Sequence, residues 1–73
     1  MPKLPVVSGK ELVRALERLG FRNVRQRGSH VIMRRGEAGC SVPMHREVTR
    51  GTLGAIIEQA GITPNDLIAA LRR

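Results

Sequence analysis

The chain has no tryptophan, no tyrosine and a single phenylalanine among its 73 residues. RRM, OB and cold-shock modules stack unpaired bases on exposed rings, so this composition argues against all three and leaves Phe21, just past an expected helix, to a core. Cys40 is the only cysteine, so no intrachain disulfide can close. No Cys/His cluster has zinc-ligand spacing either, and the reading is a cytoplasmic, reducing setting with no metal site and no cofactor. No run of residues approaches the roughly 20 apolar positions of a membrane helix, and Met1 to Pro5 lacks the charged-then-apolar pattern of a signal peptide. A soluble, unprocessed protein with no membrane partner is expected.

The length leaves room for one domain over residues 1–73, with residues 1–7, which carry two prolines, as an extended lead-in. Cores this small rarely supply more than a few kcal/mol, so such chains lean on disulfides, metals, good packing or a partner. The first two props are missing. At 41% hydrophobic and 26% charged, the composition is that of a globular chain rather than a disordered one.

Thirteen Lys and Arg against six Asp and Glu give a formal charge of +7. Residues 21–36 contain Arg22, Arg25, Arg27, Arg34 and Arg35 and no acid, so the charge is concentrated. The planar fork of arginine suits bidentate phosphate contacts, which makes nucleic acid the leading partner and an acidic protein the second. A merely solvated basic face is the bland alternative. Without aromatic platforms, contact with RNA would run through phosphates, 2′-hydroxyls and shape.

Ser8 with Glu11 three residues on fits a capping box, and Leu12, Ala15, Leu16 and Leu19 recur at helical spacing until Gly20. From Phe21 the period changes. Two Arg-rich strands carrying Val24 and then Val31, Ile32 and Met33 are punctuated by Gly28 and by a turn over Gly36-Glu37-Ala38-Gly39. A third strand is expected from Cys40 to Met44, with Pro43 marking a strand end or an edge. Thr49 caps a second helix through Leu53, Ile56, Ile57 and Ala60 to Gly61, and Thr63 with Pro64 opens a third around Leu67, Ile68 and Leu71. Gly51 in the first turn of helix two marks either close backbone approach or tolerance, the latter slightly favoured. The order α-β-β-β-α-α, without βαβ alternation, predicts an α+β two-layer sandwich. Its helices pack on one face of a three-stranded antiparallel sheet, and the other face is left for function.

Two histidines are the natural proton carriers in an Arg-dominated surface. Alternation puts His30, Ile32 and Arg34 on one face and Ser29, Val31 and Met33 on the other, so His30 can share a surface with a phosphate-binding arginine. Alternation alone does not say which face is core, and a strand histidine satisfied by a carbonyl is an equal reading of the spacing. His45, in the loop before helix two, reads more readily as capping an element end than as catalytic. RNA cleavage asks for little: a base takes the 2′-OH proton, the oxygen attacks phosphorus, and cations stabilise the charge on the phosphoryl oxygens.

Taken together, Leu19-Gly20-Phe21, Arg25-Gln26-Arg27-Gly28-Ser29-His30, Val42-Pro43-Met44-His45, and Gly51-Thr52-Leu53 followed by Ile56 and Gln59-Ala60-Gly61 make the chain resemble the HicA family of toxin-antitoxin mRNA interferases. The resemblance covers most of the length. It implies a fold similar to double-stranded RNA-binding domains, an endoribonuclease cleaving mRNA independently of the ribosome, and inhibition by a HicB-type antitoxin, for which a +7 toxin suits an acidic partner. The family's catalytic histidine falls on His30. Gly28 and Ser29 match as the tight turn and a hydrogen-bond donor, and His45 matches a position assigned to positioning. Many relatives carry an aromatic soon after the histidine where this chain has Val31, Ile32 and Met33, which puts a family-wide stacking contact in doubt.

Three readings follow. The first is a metal-independent endoribonuclease with His30 as general acid/base and Arg27, Arg34, Arg25 and Lys10 on phosphates. The second is a non-catalytic RNA-binding module that uses a basic sheet face. In the third, the basic surface serves only the antitoxin.

Overall fold

Residues 4–72 are described by the structure, a computed structural model. Helix α1 (Gly9–Arg18) opens with the expected box: the Ser8 hydroxyl accepts from the Glu11 N–H at 3.1 Å, and the Glu11 carboxylate accepts from the Ser8 N–H at 3.0 Å. These are two donors the first turn cannot satisfy internally. Gly20, at φ +95°, turns the chain out of the helix. Strands β1 (Arg22–Arg27), β2 (His30–Arg35) and β3 (Ala38–Pro43) follow, then α2 (Arg50–Ala60) and α3 (Pro64–Leu71). The fold is α+β in the expected order.

The sheet is antiparallel with β2 in the middle. Both hairpins use two-residue turns, Gly28-Ser29 and Gly36-Glu37, with positive φ at the glycine (+56° and +59°) and at no non-glycine residue. A glycine first in a two-residue loop matches the twist of the flanking strands without a Cβ clash. The second turn is therefore shorter than the four residues expected. Ala38 and Gly39 pair with Arg35 and Arg34 and belong to β3, which ends one residue earlier than expected, at Pro43. β3 is an edge strand, where a residue that cannot donate is tolerated.

Val31 and Met33 are buried, as are Cys40 and Val42 on β3, so this face of the sheet is the core face. α1 lies across all three strands, α2 packs on β3, and α3 packs on α1. The helix layer supplies Leu12, Leu16, Leu53, Ile56, Ile57 and Leu67 to one continuous core. Residues 1–3 of the lead-in lie outside the described residues, while Val7 is buried and bridges to Val48, whose N–H donates to the Val7 carbonyl at 2.8 Å.

Gly9 is the tightest packing point. A Cβ built there would sit 2.8 Å from the Met44 Cα and closer still to the Pro43 carbonyl, so α1 meets the end of β3 backbone to backbone. Gly51, by contrast, has open space around it and is simply tolerated. Gly9→Ala is expected to lower stability by about 1–3 kcal/mol through overpacking, and Gly51→Ala to raise it by about 0.5–1 kcal/mol through helix propensity, both read by urea unfolding. The Ser8 N–H and then the Ser8 hydroxyl hold the Glu11 carboxyl below the usual carboxylate range. A depressed carboxyl contributes stability above its unfolded-state pKa and loses it as pH falls through the folded value. Glu11→Gln should accordingly flatten the acid side of the stability–pH curve. Burial pushes the Cys40 thiol up to about 11, so a disulfide reagent at pH 8 should modify the native protein slowly and the urea-unfolded chain fast.

Candidate active site

The face of the sheet away from the helices carries the basic charge, and a bulge in β1 puts it there. Arg22 pairs with Arg34 and Asn23 with Met33. Past Val24 the register steps by one, so that Arg25 pairs with Ile32, Gln26 with Val31 and Arg27 with His30. Plain alternation would send Arg22 to one face and Arg25 and Arg27 to the other. With Val24 as the extra residue, all three arginines oppose Arg34, Ile32 and His30, which share the open face of β2. Val24 itself is half exposed.

His30 begins the central strand, flanked by Arg27 on β1 and Pro43 on β3. Directly opposed residues stand with Cβ atoms about 4.5–5.5 Å apart, which makes Arg27 the arginine nearest to His30 in the ladder, with Arg25 a diagonal neighbour. Arg34 shares the face but lies four residues, or about 13 Å, along the strand. Its side chain runs beside Gly39, where a Cβ would meet the Arg34 Cγ and Nη1 at 3.5 Å. Arg22 joins Arg34 at that far end. It was not singled out from the sequence as a site residue, because its place on this face follows from the bulge.

His30 and His45 line one cavity of about 340 Å³, together with Ser41, Pro43, Glu47, Val48 and the α2 residues Thr49, Thr52, Ala55, Ile56 and Gln59. The spacing of Thr52, Ile56 and Gln59 is one stripe of a helix, so α2 forms a wall against the edge of the sheet. The loop that carries His45 is fixed by backbone bonds: Met44 N–H to the Ser29 carbonyl at 2.6 Å, and Gly9 N–H to the His45 carbonyl at 2.9 Å. Thr49 caps α2 at the rim, its hydroxyl accepting from the Thr52 N–H at 3.3 Å and donating to the Thr52 hydroxyl at 3.0 Å.

Among the sequence-derived candidates, then, His30, Arg25, Arg27 and Arg34 share the open face, and His45 lines the same cavity as His30. Gly28 and Ser29 form the turn between β1 and β2, and the Ser29 carbonyl is the anchor for Met44. Lys10 is exposed in the first turn of α1. It belongs to the helix layer and is not among the residues that line the cavity. Ser41 and Glu47 have no local feature in the sequence that distinguishes them from other polar residues, and Thr52 and Gln59 stand there only within the runs that carry the family resemblance, with no site role attached. Among the described residues, no three His, Cys, Asp or Glu side chains gather where they could hold a metal ion.

Two arginines have structural work instead. Arg18 donates to the Ala70 carbonyl at 2.8 Å, tying α1 to the last turn of α3, where a cation also favours the helix dipole. Arg35 donates to the Leu19 carbonyl at 2.7 Å, and its guanidinium carbon lies 4.7 Å from the Phe21 ring centroid.

Fold and cleft define a small basic α+β protein with two imidazoles on one cavity beside a row of arginines. Residues 9–62 match the family described as HicA toxin of bacterial toxin-antitoxin, and the chain belongs to that family. It is a toxin component of such a pair, in a family known for cleaving RNA, and the pairing implies an antitoxin. No curated protein gives a match to the chain. Among the described residues no helix is long and apolar enough to cross a membrane.

Arg35→Ala is expected to cost about 1–2 kcal/mol in urea unfolding, since it removes a charged hydrogen bond and a cation–π contact. Arg22→Ala, on the open face, should stay within about 0.5 kcal/mol of the parent.

Proposed function

We propose that this toxin is a cytoplasmic endoribonuclease that cleaves mRNA, with His30 as the general acid/base. The observation that carries the reading is the placement of His30: on the open sheet face, opposite Arg27, at the edge of a cavity. The 2′-hydroxyl of RNA is its own nucleophile, so the reaction asks only for proton transfer and stabilisation of phosphoryl charge. An imidazole with neighbouring guanidinium groups supplies both, and no metal or other cofactor enters the scheme. Arg27 and Arg25 are assigned to the scissile phosphate and its neighbour. Arg34, about 13 Å along β2, holds the chain further on, and Arg22 extends the same track.

Ser29 and Gly28 shape the turn that presents His30, and Lys10 adds charge from the other layer. The element order suits a fold similar to double-stranded RNA-binding domains, which read phosphates and 2′-hydroxyls rather than stacked bases. The antitoxin is assigned to the HicB type with an acidic surface, since a basic face of this density attracts an anionic protein as well as RNA. Its binding would add stability by mass action to a short chain.

The test is cleavage of a long single-stranded RNA by the parent protein and by His30→Ala in excess EDTA, with the new ends identified chemically. The parent is expected to leave 2′,3′-cyclic phosphate and 5′-hydroxyl ends, and His30→Ala to lose about 10²–10⁴-fold in rate while retaining RNA affinity. Binding without cleavage by either protein would favour the RNA-binding module instead. Arg25→Ala and Arg27→Ala should each lower the slope of log affinity against log salt by about 0.7 on single strands.

A further inference from the structure

We propose that His45 is the second proton-transfer group of this site, the general acid that protonates the departing 5′-oxygen. The inference rests on the ribonuclease reading above and goes beyond it by giving a proton-transfer role to a residue that the sequence suggests only positions others.

Two observations carry it. His30 and His45 come from different elements, the start of β2 and the loop after β3, yet both line the same cavity. At about 340 Å³ the cavity falls within the range of small-ligand sites, and it is concave where the arginine face is open. Their relative placement is also fixed by the backbone. The bond from the Met44 N–H to the Ser29 carbonyl, 2.6 Å long, joins the residue before His45 to the residue before His30. A second anchor, from the Gly9 N–H to the His45 carbonyl, holds the loop from the α1 side. The His45 side chain takes no part in these bonds and remains exposed at the cavity.

The step balances with these two groups. His30, neutral, accepts the proton of the 2′-hydroxyl as the 2′-oxygen forms its bond to phosphorus. The bond from phosphorus to the 5′-oxygen breaks, and that oxygen takes a proton from His45 in its imidazolium form. The products are a 2′,3′-cyclic phosphate and a 5′-hydroxyl, with His30 left protonated and His45 neutral, and exchange with water resets both. Entering and leaving oxygens lie on opposite sides of the phosphorus in an in-line displacement, so base and acid are best supplied from two walls of a cleft. Glu47 also lines the cavity and is the competing donor.

A leaving group that needs no proton separates these roles. After the preferred cut site is mapped on a long RNA, an oligonucleotide is made with sulfur in place of the bridging 5′-oxygen at that linkage, since a thiolate departs without an acid. His45→Ala and His45→Gln are expected to cleave the ordinary linkage about 10²–10⁴-fold more slowly than the parent and the sulfur linkage within about tenfold of it. His30→Ala should be slow on both. Retained cleavage of the sulfur linkage also shows that the His45 variants are folded. Equal loss on both substrates would reduce His45 to positioning and overturn the assignment, as would parent-like rates on both. A Glu47→Gln variant rescued by sulfur when the His45 variants are not would transfer the role to Glu47. If the parent protein cleaves neither substrate, the ribonuclease reading itself fails, an outcome distinct from any failure of His45 alone.

Discussion

The hydrogen bond from the Met44 N–H to the Ser29 carbonyl ties the exit of β3 to the turn between β1 and β2, and the candidate site depends on it. It places the loop of residues 44–48 against the start of β2, which brings His45 toward His30. The loop is held on its other side by Gly9 and by the Val7–Val48 bridge. Those bonds require α1 to start almost in contact with the β3 backbone, and a side chain at Gly9 would hold the two apart. One close approach of backbone to backbone therefore sets the entry of α1, the path of the loop and the spacing of the two imidazoles.

The charge is arranged by the same economy of contacts. Of the eleven arginines, Arg18 and Arg35 are spent on carbonyls at helix ends, where a guanidinium satisfies an orphan acceptor and covers apolar surface. Arg22, Arg25, Arg27 and Arg34 remain exposed on the open face. Every residue of β1 is exposed, so this strand is held by its ladder to β2 and by its neighbours rather than by burial of its own side chains. A charged edge of this kind resists pairing with other chains, and it leaves a basic surface whose apolar members are Ile32 and the half-exposed Val24.

Much of the fold is legible because its signals are local. Ser8 with Glu11, Thr49, Gly61, and Thr63 with Pro64 mark helix ends through bonds made within four residues, and all sit where the sequence puts them. The hairpin at Gly36 is less legible. Gly39 is as good a turn former as Gly36, and only pairing with Arg34 shows that it belongs to the strand. The candidate site divides in the same way. The Gly28-Ser29-His30 run is visible as residues at a turn. Ser41 comes beside His30 through the register of β2 and β3, Glu47 through the path of the loop after β3, and Thr52 and Gln59 only when α2 closes on the edge of β3.

By itself the sequence determined the order of elements, their ends, the density of positive charge and the two histidines that can move protons, since each follows from composition or from short-range bonding. Tertiary structure decided the face. The one-residue step at Val24 is a mismatch between two strands and has no existence in either alone, yet it decides that Arg22, Arg25 and Arg27 stand together. Burial of Val31 and Met33 under α1 decides that His30 is turned outward with them. The cavity shared with His45 is a product of packing between segments distant in the chain, which no local pattern encodes.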